Sequence, residues 1–352
     1  MSQAIGYAAQ SATSPLAPFR FERRSMRKDD ISIEILYCGV CHTDIHQARN
    51  EWGNSLYPMV PGHEIVGRVS AVGENVTDFE VGQAVGVGYM VDSCRTCEPC
   101  RDGMEQYCTD GMTPTLSGRD RQDGSLTQGG YSDHIVVDKH FAVHIPENLD
   151  LAGAAPILCA GITTYSPLKH FNVRKGHKVG VIGMGGLGHM GVKIAKAMGA
   201  EVTLFTRSAN KAEEAFQQGA DHVIVSTDDA QMSNAADRFN FLLDTVPVQH
   251  DLNPYLQTLK YDGVHILVGL VEPIEPTIHS AHLVMKRRSI VGSLIGGIEE
   301  MQELFHFCGE HNITCDIEML DMRDIEKGYA RMIKGDVKYR FVIDMDTLKK
   351  VA

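Results

Sequence analysis

The sequence predicts an α/β protein with two domains, one rich in β-strands and one built on a doubly wound parallel sheet. Residues 30–145 carry short β-rich runs punctuated by glycines, such as ISIEILYCGV and YSDHIVV. From about residue 155 strands and helices alternate, and after SIVGSLIGG the chain returns to mixed structure. We therefore expect residues 1–155 and 298–352 to form the first domain and residues 156–297 to form the second.

The elements of the second domain follow one another as strand, helix, strand. KVGVIG (178–183) predicts a strand, GLGHMGVKIAKAMG (186–199) a helix and EVTLFT (201–206) a second strand. The alternation continues through NKAEEAFQQG, HVIVS, FNFLLDTV, DLNPYLQTL and GVHILVG. Beyond it, MQELFHFCGEH predicts a helix and KYRFVID a late strand. Alternation at these lengths is typical of a parallel sheet covered by helices.

Composition narrows the class of protein. With 352 residues, 43% hydrophobic and 22% charged, the chain is typical of a globular protein with a sizeable core. A formal net charge of −12 would repel a polyphosphate backbone, so we expect no nucleic-acid partner. We expect no signal peptide in the first residues and no run of the ~20 apolar residues that a membrane span needs. Nine cysteines without a signal predict a reducing, cytoplasmic location.

Four cysteines share the run DSCRTCEPCRDGMEQYC with the spacing C-x2-C-x2-C-x7-C: Cys94, Cys97, Cys100 and Cys108. Four thiolates in one short segment can close a tetrahedral Zn²⁺ site with no open position, which would be structural. Disulfides are one alternative, but they belong to secreted proteins. An iron–sulfur cluster is another, because ferredoxins also use C-x2-C-x2-C; the x7 spacing fits that pattern poorly.

A glycine-rich turn follows the first strand of the second domain. Gly183, Gly185 and Gly188 give G-x-G-x-x-G, with Gly186 as a further glycine. Such a turn lets the backbone approach a pyrophosphate, and the following helix offers its N-terminal N–H groups. The alternative is an ordinary tight turn, but the strand before it and the helix after it favour a dinucleotide site.

The end of the second strand decides between NAD and NADP. An NAD enzyme usually places Asp or Glu there to hold the ribose 2′-hydroxyl. This chain has Thr206, Arg207, Ser208 and then Lys211. Arginine and lysine can bind a 2′-phosphate and hydroxyls can donate to it, so the sequence favours NADP(H), with an ordinary charged loop as the alternative.

Six motifs in order carry a resemblance over residues 30–345: GVCHTD, PGHE, the four-cysteine run, LCAGITTYSP, GMGGLGH and GDVKYRFVID. In this combination the chain resembles the zinc-dependent medium-chain alcohol dehydrogenases. Within that family it is most similar to the cinnamyl alcohol dehydrogenases and the bacterial broad-range aldehyde reductases. The resemblance implies a GroES-like catalytic domain and a Rossmann NADP(H)-binding domain.

By this resemblance, Cys41, His63 and Cys159 would bind a catalytic zinc, since three protein ligands leave one position open. Spacing alone would not join them, and each has an ordinary alternative, such as a buried cysteine. Glu64 would lie beside the metal and bind it transiently. Asp44 would orient the histidine ligand.

The same resemblance implies a proton relay and pyrophosphate contacts. Thr43 matches the hydroxyl that contacts the substrate oxygen, and Thr43 and His46 share a face if CHTDIHQ begins a helix. A helix N-cap and a surface histidine are the alternatives. His42 and Arg340 match positions that contact the cofactor pyrophosphate, and relatives often carry arginine at the position of His42.

Further cofactor and substrate residues are also implied. Trp52 and Leu294 fall where the family lines its substrate pocket, which favours aromatic or medium-chain aldehydes. A lone tryptophan is equally at home in a core. The remaining cofactor-binding candidates are Thr163, Leu187, Ser293 and Ile295.

We therefore expect a homodimeric enzyme with two zinc ions per chain that transfers hydride between NADPH and an aldehyde. A polyol dehydrogenase of the same superfamily is the first alternative. A zinc-free quinone reductase is disfavoured by the ligands present. A non-enzymatic zinc-ribbon and nucleotide-sensing protein would leave Cys41, His63 and Cys159 without a role. The sequence assigns no role to Cys38, Cys308 and Cys315.

Overall fold

The structure is a computed structural model that describes residues 2–269 and 273–350. The chain divides into two compact units. The first unit combines Met1–Cys159 with Gly296–Ala352, and the second is Ala160–Ile295.

The strands in chain order are β1 (Ser2–Ala8), β2 (Ala17–Arg23), β3 (Asp30–Gly39), β4 (Ile65–Val72), β5 (Ala84–Val87), β6 (Met90–Asp92), β7 (Thr113–Pro114), β8 (His134–Asp138), β9 (Val143–His144), β10 (Lys178–Ile182), β11 (Glu201–Thr206), β12 (His222–Val225), β13 (Phe239–Asp244), β14 (Leu259–Leu267), β15 (Ser289–Gly292), β16 (Ile317–Asp321) and β17 (Arg340–Asp344). The α-helices are α1 (His42–Ala48), α2 (Glu98–Arg101), α3 (Leu151–Ala154), α4 (Ala160–His170), α5 (Gly186–Ala197), α6 (Ala212–Gln217), α7 (Asp229–Asn234), α8 (Asn253–Thr258), α9 (Ala281–Val284), α10 (Ile298–His311) and α11 (Ile325–Ile333).

The first unit is built on a seven-stranded mixed sheet. Its strand order is β16-β17-β3-β4-β5-β9, and β8 pairs with β3 as well. Strand β3 alternates as a half-buried strand should, with Ile31, Ile33 and Ile35 buried and Glu34 exposed. The pairs β1-β2 and β6-β7 form two small separate sheets. Strand β17 comes from the C-terminal segment and pairs with β16 and β3, so both chain segments build this sheet.

The second unit is a six-stranded parallel sheet in the order β12-β11-β10-β13-β14-β15. Its middle strands are buried along nearly their whole length, because helices cover both faces of such a sheet. The strand order reverses between β10 and β13, where a doubly wound sheet opens a crevice for a dinucleotide at the carboxyl ends of the strands. This arrangement confirms the predicted fold class.

Within the described residues, no single helix is long and apolar enough to span a membrane. The segments Leu151–Leu158 and Ala160–His170 would meet that criterion only if counted together.

Candidate metal centres and nucleotide-binding site

A cluster of four buried side chains in the first unit has the geometry of a metal site. One ligand atom from each of Cys41, His63, Glu64 and Cys159 lies within 4.8 Å of the others. Cys41 caps the N-terminus of α1, just after β3 ends. His63 and Glu64 immediately precede β4, and Cys159 follows the 3-10 turn Ala155–Leu158. Residues far apart in the sequence are thus brought together by the ends of four elements.

Asp44 positions two residues of this cluster, Cys41 and His63, through hydrogen bonds. Its carboxylate is fully buried and accepts hydrogen bonds from Cys41 N–H (2.9 Å), Gly62 N–H (2.8 Å) and His63 Nδ1 (3.0 Å). An ionised aspartate only accepts, so Nδ1 of His63 carries a proton and Nε2 offers its lone pair. This leaves the Nε2 atom of His63 available as a ligand.

The electrostatics of the cluster call for a cation. The Sγ atoms of Cys41 and Cys159 lie 3.8 Å apart. Hydrogen bonding to Cys159 lowers the pKa of Cys41, and the same contact together with burial raises the pKa of Cys159. Burial raises the pKa of Glu64 to about 7. Three acidic groups packed together out of water cannot all ionise unless a positive charge lies among them.

Arg340 supplies one such charge, on the Glu64 side. Its guanidinium is 2% exposed, lies 3.1 Å from Glu64 Oε1 and donates to Val40 O at 3.2 Å. Gly39 makes room for Glu64, because a Cβ atom at this position would lie 1.9 Å from Glu64 Oε2. Arg340, named in the sequence as a pyrophosphate contact, therefore faces the metal cluster here.

The relay candidates lie on α1. Cys41 is its N-cap, so the alternative that Thr43 caps the helix is wrong. Thr43 and His46 are three residues apart on α1 and share a face. The Nδ1 atom of His46 contacts Glu51 Oε2, and its ring lies 5.2 Å from the ring of Trp52. Trp52 is 39% exposed and is not a core residue.

The remaining candidate on α1 is His42. Its ring is 6.3 Å from that of His46. Loss of hydration lowers the pKa of His42, Cys41 opposes this shift, and Arg340 and His46 add to it. The neutral form of the imidazole is therefore favoured.

The four cysteines of the C-x2-C-x2-C-x7-C run form a second metal-type cluster. Ligand atoms of Cys94, Cys97, Cys100 and Cys108 lie within 4.8 Å of one another. All nine cysteines have free thiols, so the disulfide alternative is wrong for this structure. Backbone N–H groups point at the sulfurs: that of Cys97 donates to Cys94 Sγ at 3.3 Å and that of Cys94 to Cys108 Sγ at 3.4 Å. Such donors favour thiolates, and backbone hydrogen bonds lower the pKa of Cys97 to about 6.

The glycine turn of the second unit has the close backbone approach that a nucleotide loop needs. Gly183 has φ +93°, and a Cβ atom on Gly188 would lie 2.1 Å from Gly183 O. Gly185 is the N-cap of α5, and Gly186 and Leu187 begin that helix. Nothing lies within 4 Å of a Cβ atom built on Gly185, so the helix N-terminus is open. The loop can therefore admit a phosphate group.

The candidates for the 2′-phosphate follow β11. Thr206 ends the strand, and its Oγ1 accepts from Ser208 N–H at 3.3 Å. Arg207 and Ser208 are exposed, and Lys211 lies 3.6 Å from Glu214. The turn 207–211 itself thus carries two cations and no carboxylate, and Glu214 lies in the helix that follows it.

The other candidates of the second unit are spread over two elements. Thr163 is buried in α4. Ser293, Leu294 and Ile295 follow β15; Ser293 N–H donates to Leu267 O at 3.0 Å, Leu294 is 39% exposed and Ile295 has φ +32°.

The sequence reasoning missed a buried carboxylate with two histidines at the end of β13. Asp244 Oδ2 accepts from His250 Nε2 and His265 Nε2, each at 2.9 Å. The next residue, Thr245, donates from Oγ1 to Ile182 O at 2.8 Å and lies beside Gly183. The only sequence signal was a charged residue closing the apolar run FNFLLD.

Comparisons with known proteins agree with this geometry. Residues 27–147 match the family model described as alcohol dehydrogenase GroES-like domain, and residues 186–310 match zinc-binding dehydrogenase. The aldehyde reductase YahK of Escherichia coli is 50% identical over 98% of this chain and 99% of its own. Among solved structures, a cinnamyl alcohol dehydrogenase from Sorghum bicolor has a TM-score of 0.94 at 45% identity, covering 98% of both chains. A CAD from Helicobacter pylori complexed with NADP(H) has a TM-score of 0.91 at 42% identity, also covering 98% of both chains.

Proposed function

Because this chain belongs to the zinc-dependent medium-chain alcohol dehydrogenases, we propose that it is an NADP(H)-dependent aldehyde reductase of the cinnamyl alcohol dehydrogenase branch. It transfers hydride between NADPH and an aromatic or medium-chain aldehyde. The observation that carries this proposal is the convergence of Cys41, His63 and Cys159 in one buried cluster.

Two sulfurs and one imidazole nitrogen fit a catalytic zinc, because three protein ligands leave a fourth position for the substrate. Zinc held by Cys41, His63 and Cys159 supplies Lewis-acid chemistry, which stabilises negative charge on a carbonyl oxygen by several kcal/mol. Asp44 holds the proton on His63 Nδ1 and so keeps the ring turned toward the sulfurs. The carboxylate of Glu64 lies close enough to replace one of the zinc ligands transiently. At other times its negative charge is balanced by the ion pair with Arg340.

Proton movement is assigned to Thr43 and His46. Thr43 would donate its hydroxyl proton to the substrate oxygen and take a replacement from His46, three residues on in α1. The side chain of His46 is 34% exposed, so it can exchange that proton with water. The carboxylate of Glu51 contacts Nδ1 and holds the ring in place. These groups return the proton that the alkoxide product needs.

The second unit binds NADP(H). The pyrophosphate is assigned to the open N-terminus of α5. The residues that would hold it there are Gly183, Gly185, Gly186, Leu187 and Gly188. The 2′-phosphate is assigned to Thr206, Arg207, Ser208 and Lys211, and the remaining cofactor contacts to His42, Thr163, Ser293, Ile295 and Arg340.

A role in substrate binding is assigned to Trp52 in the first unit and to Leu294 in the second, each a large apolar side chain that remains partly exposed. They favour aromatic or medium-chain aldehydes over polyols. The four-cysteine cluster would hold a second, structural zinc.

A homodimer in the cytoplasm completes the proposal. Strand β15 ends the parallel sheet and leaves an edge that a second copy can extend. Nine free thiols support a reducing compartment.

The first experiment measures initial rates of NADPH and NADH oxidation with cinnamaldehyde or benzaldehyde on zinc-replete protein. We expect turnover with a strong preference for NADPH. The Arg207→Gln variant should raise the KM for NADPH roughly 10-fold and leave that for NADH unchanged, since one charge-assisted pair is lost. Lys175→Gln, a change in a turn of the same unit, is the matched control.

The outcomes separate the alternatives. NADH preference would keep the enzyme class and overturn the NADP assignment. Oxidation of sorbitol without aldehyde reduction would identify a polyol dehydrogenase. No turnover with any substrate would favour the nucleotide-sensing alternative.

A further inference from the structure

We propose that Arg23 is a positioning residue for the catalytic zinc: it fixes segment 128–134, against which the loop carrying His63 is built. This inference rests on the proposed function, because it concerns the metal site assigned there. Arg23 belongs to neither metal cluster, and its action passes through backbone contacts.

The guanidinium of Arg23 is buried at the end of β2 and donates hydrogen bonds to four oxygen atoms of segment 128–134. Nε donates to His134 O (3.0 Å), Nη1 to Gln128 O, and Nη2 to Gly129 O (2.9 Å) and Ser132 Oγ (2.7 Å). All four acceptors are neutral, and burial lowers the pKa of Arg23 to about 9. Because burial is costly for a cation, the guanidinium depends on these acceptors, and loss of one would leave a buried donor unpaired.

The same segment is hydrogen-bonded on its other side to residues 58–62, the approach to His63. Gln128 clamps this stretch with its side chain, accepting from Val60 N–H at 2.7 Å and donating to Pro58 O at 2.9 Å. Three backbone bonds continue the contact: Gly129 N–H to Val60 O (2.7 Å), Gly130 N–H to Gly62 O (2.8 Å) and Tyr131 N–H to Pro61 O (2.9 Å).

Segments 128–134 and 58–62 approach so closely that a side chain would not fit at two of their glycines. A Cβ atom on Gly129 would lie 2.3 Å from Pro61 O. A Cβ atom on Gly62, which has φ +100°, would lie 2.7 Å from Tyr131 Cδ1. Because no side chain fits between them, a shift of one segment moves the other.

The last contact reaches the metal ligand. Gly62 N–H and His63 Nδ1 both donate to the Oδ1 atom of Asp44, at 2.8 and 3.0 Å. Movement of Gly62 therefore disturbs the hydrogen bond that orients the His63 ring. A ligand ring that is less firmly held releases its metal faster.

Arg24 offers a matched control in the neighbouring position. Its guanidinium forms ion pairs with Asp30 and, at 3.2 Å, with Asp120. These partners lie outside segment 128–134, which Arg23 contacts. Replacing Arg24 removes a part-buried charge of the same kind from the same stretch of chain.

The experiment measures zinc release from the full-length protein to a chromogenic chelator, with wild type, Arg23→Met, Arg23→Lys and Arg24→Met. Wild type should release two zinc ions in separate phases, and Cys159→Ala, which lacks the catalytic ion, identifies the phase of the four-cysteine site. Arg23→Met should release the catalytic ion ~10-fold faster or more and leave the other phase unchanged. Arg23→Lys, which keeps a cation and donors, should partly restore the slow phase.

Arg24→Met should release both ions at wild-type rates. NADPH binding, measured by fluorescence, should be unchanged in the Arg23 and Arg24 variants, because neither arginine is assigned a contact with the cofactor.

Two results would overturn the inference alone: wild-type release from Arg23→Met, or equal acceleration of both phases, which would mean general loosening of the unit. If Arg23→Met does not fold, Gln128→Leu carries the same test, because it removes the side-chain clamp on residues 58–60 without touching the guanidinium. Wild-type protein with a single bound zinc would overturn the proposed function together with this inference, and that result is distinct from the other two.

Discussion

Each unit of this protein contains a buried aspartate hydrogen-bonded to a buried histidine. In the first unit Asp44 and His63 are joined at 3.0 Å, and in the second Asp244 and His265 are joined at 2.9 Å, with every side chain at most 1% exposed. The two pairs differ in the side chains that surround them. One ligand atom of His63 lies within 4.8 Å of those of Cys41, Glu64 and Cys159. Asp244 is shared instead with a second histidine, His250.

The difference teaches that an aspartate–histidine pair does not define a function; the surroundings of the second ring nitrogen do. In the first unit that nitrogen is Nε2 of His63, which is available to bind a metal together with Cys41 and Cys159. In the second unit the free nitrogen, Nδ1 of His265, is buried without a hydrogen-bond partner among the described residues. We expect the first pair to orient a zinc ligand, whereas the second ties β13 to β14 beside the glycine loop.

The largest expected effect breaks the first cluster. Cys159→Ala removes a ligand, and loss of several kcal/mol of Lewis-acid stabilisation should lower kcat/KM at least ~10³-fold. Metal analysis should find one zinc per chain in place of two. Cys308→Ala, which removes a buried thiol outside both clusters, is the control and should keep both ions and near-normal turnover. A Cys159→Ala enzyme with wild-type turnover would refute the metal assignment.

The next prediction compares the two aspartates directly. Asp44→Asn removes the carboxylate that fixes the tautomer of His63 and should weaken catalytic zinc binding by roughly 10–100-fold. Asp244→Asn should leave the affinity for both zinc ions unchanged, because no metal-type cluster of the described residues includes Asp244. Competition with a chelator measures both. Equal losses in the two variants would contradict the distinction drawn between the pairs.

The smallest effect concerns His250 and pH. Its two ring nitrogens face acceptors only, Val248 O at 2.8 Å and Asp244 Oδ2 at 2.9 Å, so both must donate and the ring is cationic. Asp244 first, and Asp251 further, raise the pKa of His250. The ion pair therefore stabilises the fold fully below about pH 6.5, the usual value for histidine, and loses this contribution as pH rises through the raised pKa.

We expect the free energy of unfolding of the wild type to fall as pH rises through that range. His250→Gln should be less stable at low pH and show a flatter profile in denaturant unfolding. His222→Gln, which removes an exposed histidine–glutamate pair of the same unit, should keep the wild-type profile. Parallel curves for wild type and His250→Gln would contradict the assignment.

The parts of the molecule that could be predicted from sequence are those whose partners are close in the chain. The four cysteines lie within one short run, and the glycine turn lies between its own strand and helix, so local spacing carries both. Cys41, His63 and Cys159 were joined only by the resemblance, since strand ends far apart in sequence bring them together. The family and the reductase activity expected from that resemblance agree with the relatives found.

The interactions that were missed link elements with no local pattern. Asp244 meets His265 across β13 and β14, which are parallel neighbours, and no periodicity marks that pairing. Arg23 was not singled out from the sequence, because nothing there says that its acceptors are carbonyl groups more than a hundred residues away. Buried polar contacts depend on register between distant strands, which composition and spacing do not encode.

The position of β17 has a consequence for synthesis of the protein. Strand β17 lies between β16 and β3 and carries Arg340, whose charge meets Glu64, yet it is translated about 180 residues after Cys159. At 5–20 residues per second, the first segment waits roughly 10–40 s on the ribosome for a strand of its own sheet. During that interval the edge of β3 near Gly39 is unpaired and open to wrong partners, while the intervening unit emerges whole. A nascent chain of this protein should therefore depend on chaperones for its earliest residues more than for its middle ones.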